Sequence, residues 1–196
     1  MATTRTHERI LDAATRLFAD EGIHATGVDR VIAEADVAPM TVYRHFAGKD
    51  DLVTASLARW SERWLAWLRD ETWLGGDDPE ARLEALWDAL EKWFADEGFR
   101  GSYVANVATE LRAKPGHPAQ AVIAAHRAAL RELLQDLLTA DGPPPAGTVL
   151  QLQMLIDGAV AAAAVDRQPG AAAGARALAA GLVADRRPPA RALAGR

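Results

Sequence analysis

The side chains with the clearest chemical use in this chain lie close together, between residues 39 and 49. Arg44 can bind a guanine edge with two hydrogen bonds, or a phosphate, and Thr41 and Tyr43 can donate to phosphate oxygens. Met40 and Tyr43 can also lie against the methyl group of a thymine. No acidic residue occurs in this stretch. The set is therefore suited to a nucleic-acid surface.

Two short helices joined by a tight turn are predicted to position these side chains. Thr26 is placed to cap the first helix, with Asp29 where a capping box takes an acid. Apolar residues then recur at helical spacing, namely Val28, Val31, Ile32 and Ala35. Asp36 and Val37 form the turn. One face of the first helix is therefore expected to be buried.

The second helix is predicted to begin at Pro39, which suits the first position of a helix. Val42 and Phe46 lie one turn apart and would anchor it inward. The remaining side chains of this helix, Met40, Thr41, Tyr43, Arg44 and His45, then face outward. This arrangement is typical of a helix-turn-helix DNA-binding motif.

In order and spacing, these residues resemble the N-terminal domain of the TetR family of transcriptional regulators. The matching positions are Thr26, the run Thr41-Val42-Tyr43, His45-Phe46 and Lys49, with further matches at Arg9-Ile10-Leu11-Asp12-Ala13-Ala14, Leu17-Phe18-Ala19, Gly22 and Leu52. The resemblance covers roughly the first quarter of the chain. It implies an all-α fold in which an N-terminal three-helix helix-turn-helix DNA-binding domain precedes a larger helical ligand-binding and dimerisation domain.

On this resemblance the DNA-binding domain would occupy residues 1–48 and the ligand-sensing and dimerisation domain residues 49–185. The basic, proline-rich residues 186–196 are expected to form a disordered tail. Pro39, Met40 and Arg44 are candidates for base readout. Residues expected to hold phosphates, as the matching positions do in the family, are Thr26, Thr41, Tyr43, His45 and Lys49.

Two positions depart from the usual pattern of the family. Asp36 stands where the turn commonly has glycine, and Asp is one of the few other residues that tolerate a positive φ. Ala38 stands where Ser or Thr commonly caps the second helix, a loss of about 1 kcal/mol. Because the fixed φ of Pro39 offsets part of that loss, the motif is still expected to fold.

Composition narrows the remaining classes of function. The chain has 196 residues, no cysteine and a net charge of −5. Residues 1–50 hold six Lys/Arg against eight Asp/Glu, a balance that predicts sequence-specific contacts with modest non-specific affinity for DNA. The five histidines are scattered without helical ligand spacing, so no metal or other cofactor is predicted. No apolar run is expected to span a membrane, and a cytoplasmic location is predicted.

Helical periodicity continues through the rest of the chain. A further helix, which precedes the helix-turn-helix motif, is expected to end at Gly22. Further helices are predicted from the residues after Gly48 to about 72, from Pro79 to a stop at Gly98, from Ser102 to Pro115, from Pro118 to about 139, from about 148 to 165, and from about 171 to 184.

The last two predicted helices carry many small apolar residues, which let two helices approach closely. In the resemblance they pair with those of a second subunit as a four-helix bundle. The expected members of this interface are Leu152, Leu155, Ala159, Ala162 and Ala163. The alternative is an intramolecular core. A dimer would place two reading helices about 34 Å apart on a palindromic operator.

A pocket for a small molecule, hydrophobic or aromatic, is predicted within the helical domain. All six tryptophans lie between residues 60 and 93, where core packing is the plainer explanation and a ligand wall the alternative. The candidate ligand-binding residues are Trp64, Trp87, Trp93, Phe94, Tyr103, Asn106, Glu110, His126, Met154 and Asp157.

An enzyme is the weaker hypothesis, because the chain lacks a phosphate loop, a nucleophile elbow and cysteine. Glu110, His126 and Asp157 could converge in an all-helical enzyme, and a helical carrier could use the same cavity without DNA. The resemblance to the TetR family, together with the two-part layout, implies a homodimeric repressor that releases double-stranded operator DNA when a ligand shifts the helix following the motif.

Overall fold

The computed structural model of the chain describes residues 2–139, 144, 146–168 and 170–184. These residues form helices and contain no strand. The helices are α1 (Ala2–Glu21), α2 (Val28–Ala35), α3 (Pro39–His45), α4 (Lys49–Trp73), α5 (Pro79–Phe94), α6 (Tyr103–Glu110), α7 (Ala119–Leu138), α8 (Thr148–Val165) and α9 (Ala171–Ala184). The predicted all-α fold is confirmed. The tail predicted at 186–196 lies outside the described residues.

The helices group into two compact units that do not follow the boundary predicted at residue 48. The first unit combines Met1–Ala66 with Arg100–Ala128, and the second combines Trp67–Phe99 with Ala129–Arg196. Helices α4 and α7 each contribute to both units. A functional boundary between residues 48 and 49 stays a prediction.

The first unit has a continuous apolar core. α1 packs against α2, and α2 against α3. The core includes Ile10, Leu17 and Phe18 of α1, Val31 of α2, Val42 of α3, Leu52 and Leu57 of α4, and Tyr103 and Val107 of α6. Because each of these elements buries one stripe at helical spacing, the periodicity visible in the sequence correctly identifies the inward faces.

The second unit is built around α5, α8 and α9, which pack on one another. Its buried side chains include Leu83, Leu86, Trp87, Leu90, Leu133, Leu134, Leu137, Leu152, Ile156 and Ala179. Asp78 caps α5 by accepting from the backbone N–H groups of Glu80 and Ala81 at 3.3 and 3.4 Å, and Pro79 occupies the first turn. This start is the one predicted from the sequence.

Helix ends agree less closely with the sequence than helix starts. Gly22 ends α1 with a φ of 85°, and the Ser102 hydroxyl caps α6, both as predicted. However, α5 ends at Phe94 and α6 at Glu110, several residues before the predicted stops at Gly98 and Pro115. Turns fill these intervals, because a breaking residue sets the latest possible end of a helix rather than the actual one.

Helix α8 corrects the expectation that no segment is apolar enough to cross a membrane. Over Thr148–Val165 its mean hydropathy is 1.5, and it is long enough to span a bilayer, with 33% of the window buried. One such helix is weak evidence for a membrane span, because core helices of other proteins have the same length and composition. Its packing against α9 gives its apolar character a structural use.

Candidate nucleic-acid interface

Helix α3 is anchored by two buried side chains and exposes most of its residues predicted to contact DNA, but Thr41 is half-buried. Val42 and Phe46 are 1% and 3% exposed, whereas Met40 and Tyr43 are 69% and 50% exposed. Pro39 and Arg44 are also exposed. Ala38, at the start of the helix, makes no side-chain capping bond. The outward face therefore combines one guanidinium, one phenol and one thioether with no acid.

The turn before α3 is held by α1. Asp36 adopts the left-handed conformation, with φ 49° and ψ 58°, so Asp takes the role expected of it in place of glycine. The guanidinium of Arg9 donates to the carbonyl oxygens of Ala35 and Asp36 at 2.6 and 2.9 Å. These bonds satisfy carbonyls at the end of α2 that no helical N–H can reach. The angle between α2 and α3 is thereby fixed from a third helix.

His45, at the end of α3, is held by an aromatic neighbour on α1. The His7 and His45 rings lie 5.4 Å apart edge to face, and His7 stacks on Phe46 at 5.1 Å. His45 is half-buried as a result. Its ring is positioned before any ligand arrives, which lowers the entropy that DNA binding would cost.

Lys49 is the first residue of α4 and is half-buried. The next two residues are acidic and both have structural partners. Asp51 accepts from the backbone N–H of Ala47 at 2.9 Å, and Asp50 lies 3.3 Å from Nε2 of His117. Nδ1 of His117 accepts from the Ala119 backbone N–H at 3.1 Å, so Nε2 is the nitrogen that can donate to Asp50. These acids therefore serve the helix start rather than DNA.

Thr26 does not have the role predicted for it. The N-cap of α2 is Gly27, without a side-chain bond, so the predicted capping box is wrong. The Thr26 hydroxyl is instead fully buried and donates to the Leu17 carbonyl oxygen at 3.4 Å. A hydroxyl with no accessible surface does not reach a phosphate in this conformation. Thr26 joins the α1–α2 connection to the core.

Three of the predicted ligand-binding residues meet in the first unit. The His126 ring lies 5.5 Å from Trp64, and Nδ1 of His126 lies 2.8 Å from the Ser61 hydroxyl. Trp60 stacks on Trp64 at 5.8 Å and meets Tyr103 edge to face at 6.0 Å. Burial raises the pKa of Tyr103 and outweighs the hydrogen bond between Tyr103 and Ser56, which lowers it, so the Tyr103 hydroxyl stays protonated. These residues form an aromatic cluster with two buried hydroxyl groups, those of Ser61 and Tyr103.

Glu110 and Asn106, predicted to face a ligand, contact the backbone of their own unit instead. Glu110 accepts from the backbone N–H groups of Ile23 and His24 at 3.0 and 2.9 Å, and its carboxylate lies 2.8 Å from Nδ1 of His24. Burial opposes ionisation of Glu110, but these hydrogen bonds outweigh it and lower its pKa. Asn106 donates to the Arg100 carbonyl oxygen at 3.3 Å. Glu110 therefore fastens α6 to the turn between α1 and α2.

The other predicted ligand-binding residues are spread over the second unit. Trp87 is fully buried in the core, whereas Met154 is 62% exposed and Asp157 is exposed on α8. Trp93 and Phe94 belong to an aromatic group with Trp67 and Phe99. Phe94 also lines a cleft of about 420 Å³ together with Glu91, Ala95, Ala163, Arg167 and Gln168. Within the second unit, the buried Trp87 and the exposed Met154 therefore do not line one pocket.

The predicted dimer residues are oriented partly into the chain's own core. Leu152 and Ala159 are 1% and 5% exposed, so they offer no surface to a second subunit, and Leu155, Ala162 and Ala163 are half-buried. An exposed apolar stripe of α8 is formed by Leu150, Met154, Gly158, Ala161 and Val165, and it is bordered by the exposed residues Gln151, Asp157 and Ala164. Since α8 is apolar nearly all round, periodicity could not indicate which side faced inward.

Known proteins with similar sequences are regulators of transcription. The family model for bacterial regulatory proteins of the tetR family matches residues 10–55. The transcriptional activator FasR of Mycolicibacterium smegmatis is 29% identical over 136 residues, which are 68% of this chain and 58% of FasR. The regulator UidR of Escherichia coli is 34% identical over 65 residues, a third of each protein. The chain thus spans little more than half of the first relative's length.

Solved structures extend the likeness to almost the whole chain. The TetR-family transcriptional regulator SCO4454 from Streptomyces coelicolor is 31% identical, with a TM-score of 0.83 over 93% of this chain and 96% of that one. The reduced form of NemR from Escherichia coli shares the fold, with a TM-score of 0.80 at 18% identity. FasR, UidR and SCO4454 are all regulators of transcription. The chain therefore belongs to the TetR family of helix-turn-helix transcriptional regulators.

Proposed function

We propose that this protein is a homodimeric repressor that releases a palindromic operator when a small molecule binds its C-terminal helices. The observation that carries the proposal is the outward face of α3, where Met40, Tyr43 and Arg44 are exposed above the buried anchors Val42 and Phe46. In this proposal Pro39, Met40 and Arg44 read base edges. Thr41, Tyr43, His45 and Lys49 hold phosphates and set the register.

Binding to DNA in the absence of an effector is supported by how α3 is braced. Its turn is held by Arg9, and its last residues by His7, both on α1. No step of folding is needed to present the reading face. A protein so arranged binds its operator by default, and the effector acts by weakening that complex.

The dimer is proposed to form through the exposed stripe of α8 and the neighbouring face of α9. Leu150, Met154 and Val165 are 53%, 62% and 79% exposed, and Leu178 of α9 is 65% exposed. A Cβ added at Gly158 or Gly174 would meet nothing within 4 Å, so these surfaces are open to close approach by another helix. A second copy of the chain is the proposed occupant, since two such stripes bury each other's apolar residues.

The ligand is proposed to be small and largely apolar and to bind in the second unit, and the protein to act in the bacterial cytoplasm, where its operator is. Trp93 and Phe94 support an aromatic wall there. Trp64 and His126 pack on each other in the first unit, where Trp60 links them to Tyr103, and these three predicted residues form a separate candidate region. Met154 and Asp157, on the exposed side of α8, are the weakest members of the predicted set.

The proposal is tested by fluorescence anisotropy of labelled DNA from the region flanking the protein's own gene, with a scrambled competitor and two salt concentrations. Tight binding that survives the competitor supports a sequence-specific regulator. In a reporter strain, deletion of the gene is expected to raise expression from that promoter. A fall in expression would contradict repression. In the titration, an affinity equal to that for scrambled DNA would show that this DNA does not contain the operator.

A further inference from the structure

The cleft between the end of α5 and the end of α8 combines an apolar wall with two opposite charges. Its lining residues are Glu91, Phe94, Ala95, Ala163, Arg167 and Gln168, and its volume is about 420 Å³. Sites for small molecules in proteins have volumes of about 300–1,000 Å³. The cleft therefore has room for a small aromatic compound.

The apolar wall is held in place by other rings. Phe94 lies 5.9 Å from Trp93 and 5.2 Å from Phe99, and Trp93 meets Phe99 edge to face at 5.0 Å. A ring fixed by neighbours on two sides loses little freedom when a ligand packs on it. Phe94 is thus a prepared surface for a flat apolar group.

The cleft residue Arg167, just beyond α8, has a backbone conformation that arginine rarely adopts. Its φ is 51°, at the position just after the α8 C-cap Asp166, where helices commonly have glycine. The chain folds back here, with the Gln168 N–H donating to the Ala162 carbonyl oxygen at 3.3 Å. A strained non-glycine residue beside a cleft points to a function for its side chain.

The two charges of the cleft are not joined to each other. Among the described residues, the Arg167 guanidinium has no ion pair, and Glu91 is 3.7 Å from Arg176. Arg176 is shared with two further acids, Glu84 at 3.4 Å and Asp88. One guanidinium therefore serves three carboxylates, and Glu91 is the most distant of them. Glu91 keeps capacity for a second cation, as Arg167 does for an anion.

We propose that this cleft binds a small zwitterion with an aromatic or other apolar body. Its anionic group binds Arg167 and the Gln168 side chain, its cationic group binds Glu91, and its body packs on Phe94 and the alanines. The inference rests on the proposed control by a small molecule and narrows its chemical class. It adds one positive and one negative group to the small, largely apolar ligand predicted from the sequence.

Three probes with the same phenyl body and different charges test the assignment. Calorimetry on the full-length protein without DNA would compare phenylalanine, 2-phenylethylamine and 3-phenylpropanoate. Phenylalanine is expected to bind about fivefold tighter than either singly charged compound, the increment typical of one partly exposed ion pair. Equal affinities for the three probes, or no binding by any of them up to their solubility limits, would overturn the proposal.

Two substitutions separate the charges. Arg167→Gly removes the guanidinium while suiting the local φ, so it should not lower the melting temperature. The affinity of Arg167→Gly for phenylalanine is expected to fall about fivefold, while its affinity for 2-phenylethylamine stays unchanged. Glu91→Gln is expected to bind phenylalanine and 2-phenylethylamine more weakly and 3-phenylpropanoate as before. Matched controls are Arg112→Gly and Glu62→Gln, exposed residues outside the cleft. Losses of equal size in the controls would overturn the assignment.

The same variants distinguish this inference from the proposed function. Arg167→Gly should bind the operator as wild type does, because its position is remote from α3 in the chain. Operator binding that survives the loss of probe binding upholds the cleft as a separate site. Probe binding that leaves operator affinity unchanged would uphold the site and overturn its link to DNA release.

Discussion

Arg44 and Lys49 are both cations of the proposed DNA-binding surface, and replacing each of them is expected to change DNA binding in a different way. Arg44→Ala should weaken binding to the native operator by about 1–3 kcal/mol, because it removes the proposed contact to a base edge. The variant should also discriminate less between bases at that one base pair. Lys49→Ala should weaken binding to all DNA sequences alike, because it removes the proposed phosphate contact. It should also reduce the slope of log K against log[salt] by about one.

Anisotropy titrations on the operator and on single-base-pair variants, repeated over a series of salt concentrations, measure both effects. Arg30→Ala is a useful control, since this exposed arginine of α2 pairs with Glu21 at 3.2 Å. If the two variants changed affinity and specificity in the same way, the division between base readout and phosphate contact would be wrong.

At single positions, the sequence predicted well wherever the determining neighbour was close in the chain. Val42 and Phe46 are one turn apart and are both buried, and Asp36 takes the left-handed turn. Thr26 and Glu110 were misassigned. The hydroxyl of Thr26 turns to a carbonyl nine residues earlier, and Glu110 binds backbone 86 and 87 residues away. Partners at such separations are set by the tertiary fold and leave no local pattern.

The Glu110 carboxylate connects α6 to the turn between α1 and α2, and its contribution to stability should depend on pH. Glu110→Gln keeps one acceptor oxygen but presents an amide N–H₂ group to backbone donors. At neutral pH the free energy of unfolding should therefore fall by about 1–2 kcal/mol. Hydrogen bonds lower the pKa of Glu110 below its ordinary value of 4.5. Its contribution is therefore present above that value and is lost as the pH falls through the folded-state pKa.

Denaturant unfolding of wild type and Glu110→Gln, from neutral pH down to the acid range, would show the difference in stability. That difference should narrow below pH 4.5. Glu62→Gln, on the exposed side of α4, is the control and should change stability little at any pH. A difference that stays constant through the acid range would mean that ionisation of Glu110 does not fasten α6.

Among the elements, helix starts were more predictable than helix faces. Asp78 and Ser102 cap α5 and α6 because a capping side chain bonds within its own first turn. The orientation of α8 was not predictable, because a helix that is apolar on nearly every side buries one side in its own chain and leaves the other exposed. Leu152 and Met154 are chemically alike, yet they are 1% and 62% exposed.

For the whole molecule, the exposed stripe of α8 predicts that assembly can be broken without unfolding the protomer. Met154→Glu places a charge on a side chain that is already 62% exposed, so the folded chain should keep its melting temperature. In a dimer the same charge would be buried without a partner, which costs several kcal/mol. The variant should therefore be monomeric and bind the operator weakly.

Sedimentation velocity over a range of concentrations gives the oligomeric state, and anisotropy gives the operator affinity. Leu74→Glu is the matched control, because Leu74 is 77% exposed in the turn after α4 and lies outside the stripe. A Met154→Glu protein that remained dimeric would show that the second copy binds elsewhere.

The position of the tryptophans gives the protein an optical reporter of its own. Helices α1–α3 contain none, and all six lie in α4 and α5, where Trp60 and Trp64 stack beside His126. When the protein is excited at the red edge of indole absorption, its fluorescence comes only from these two helices. Helix α3, which carries the proposed DNA-binding surface, does not fluoresce. Any change in emission on adding unlabelled operator would thus originate in helices that carry no DNA-reading residue beyond Lys49, so communication along the chain can be followed without a dye.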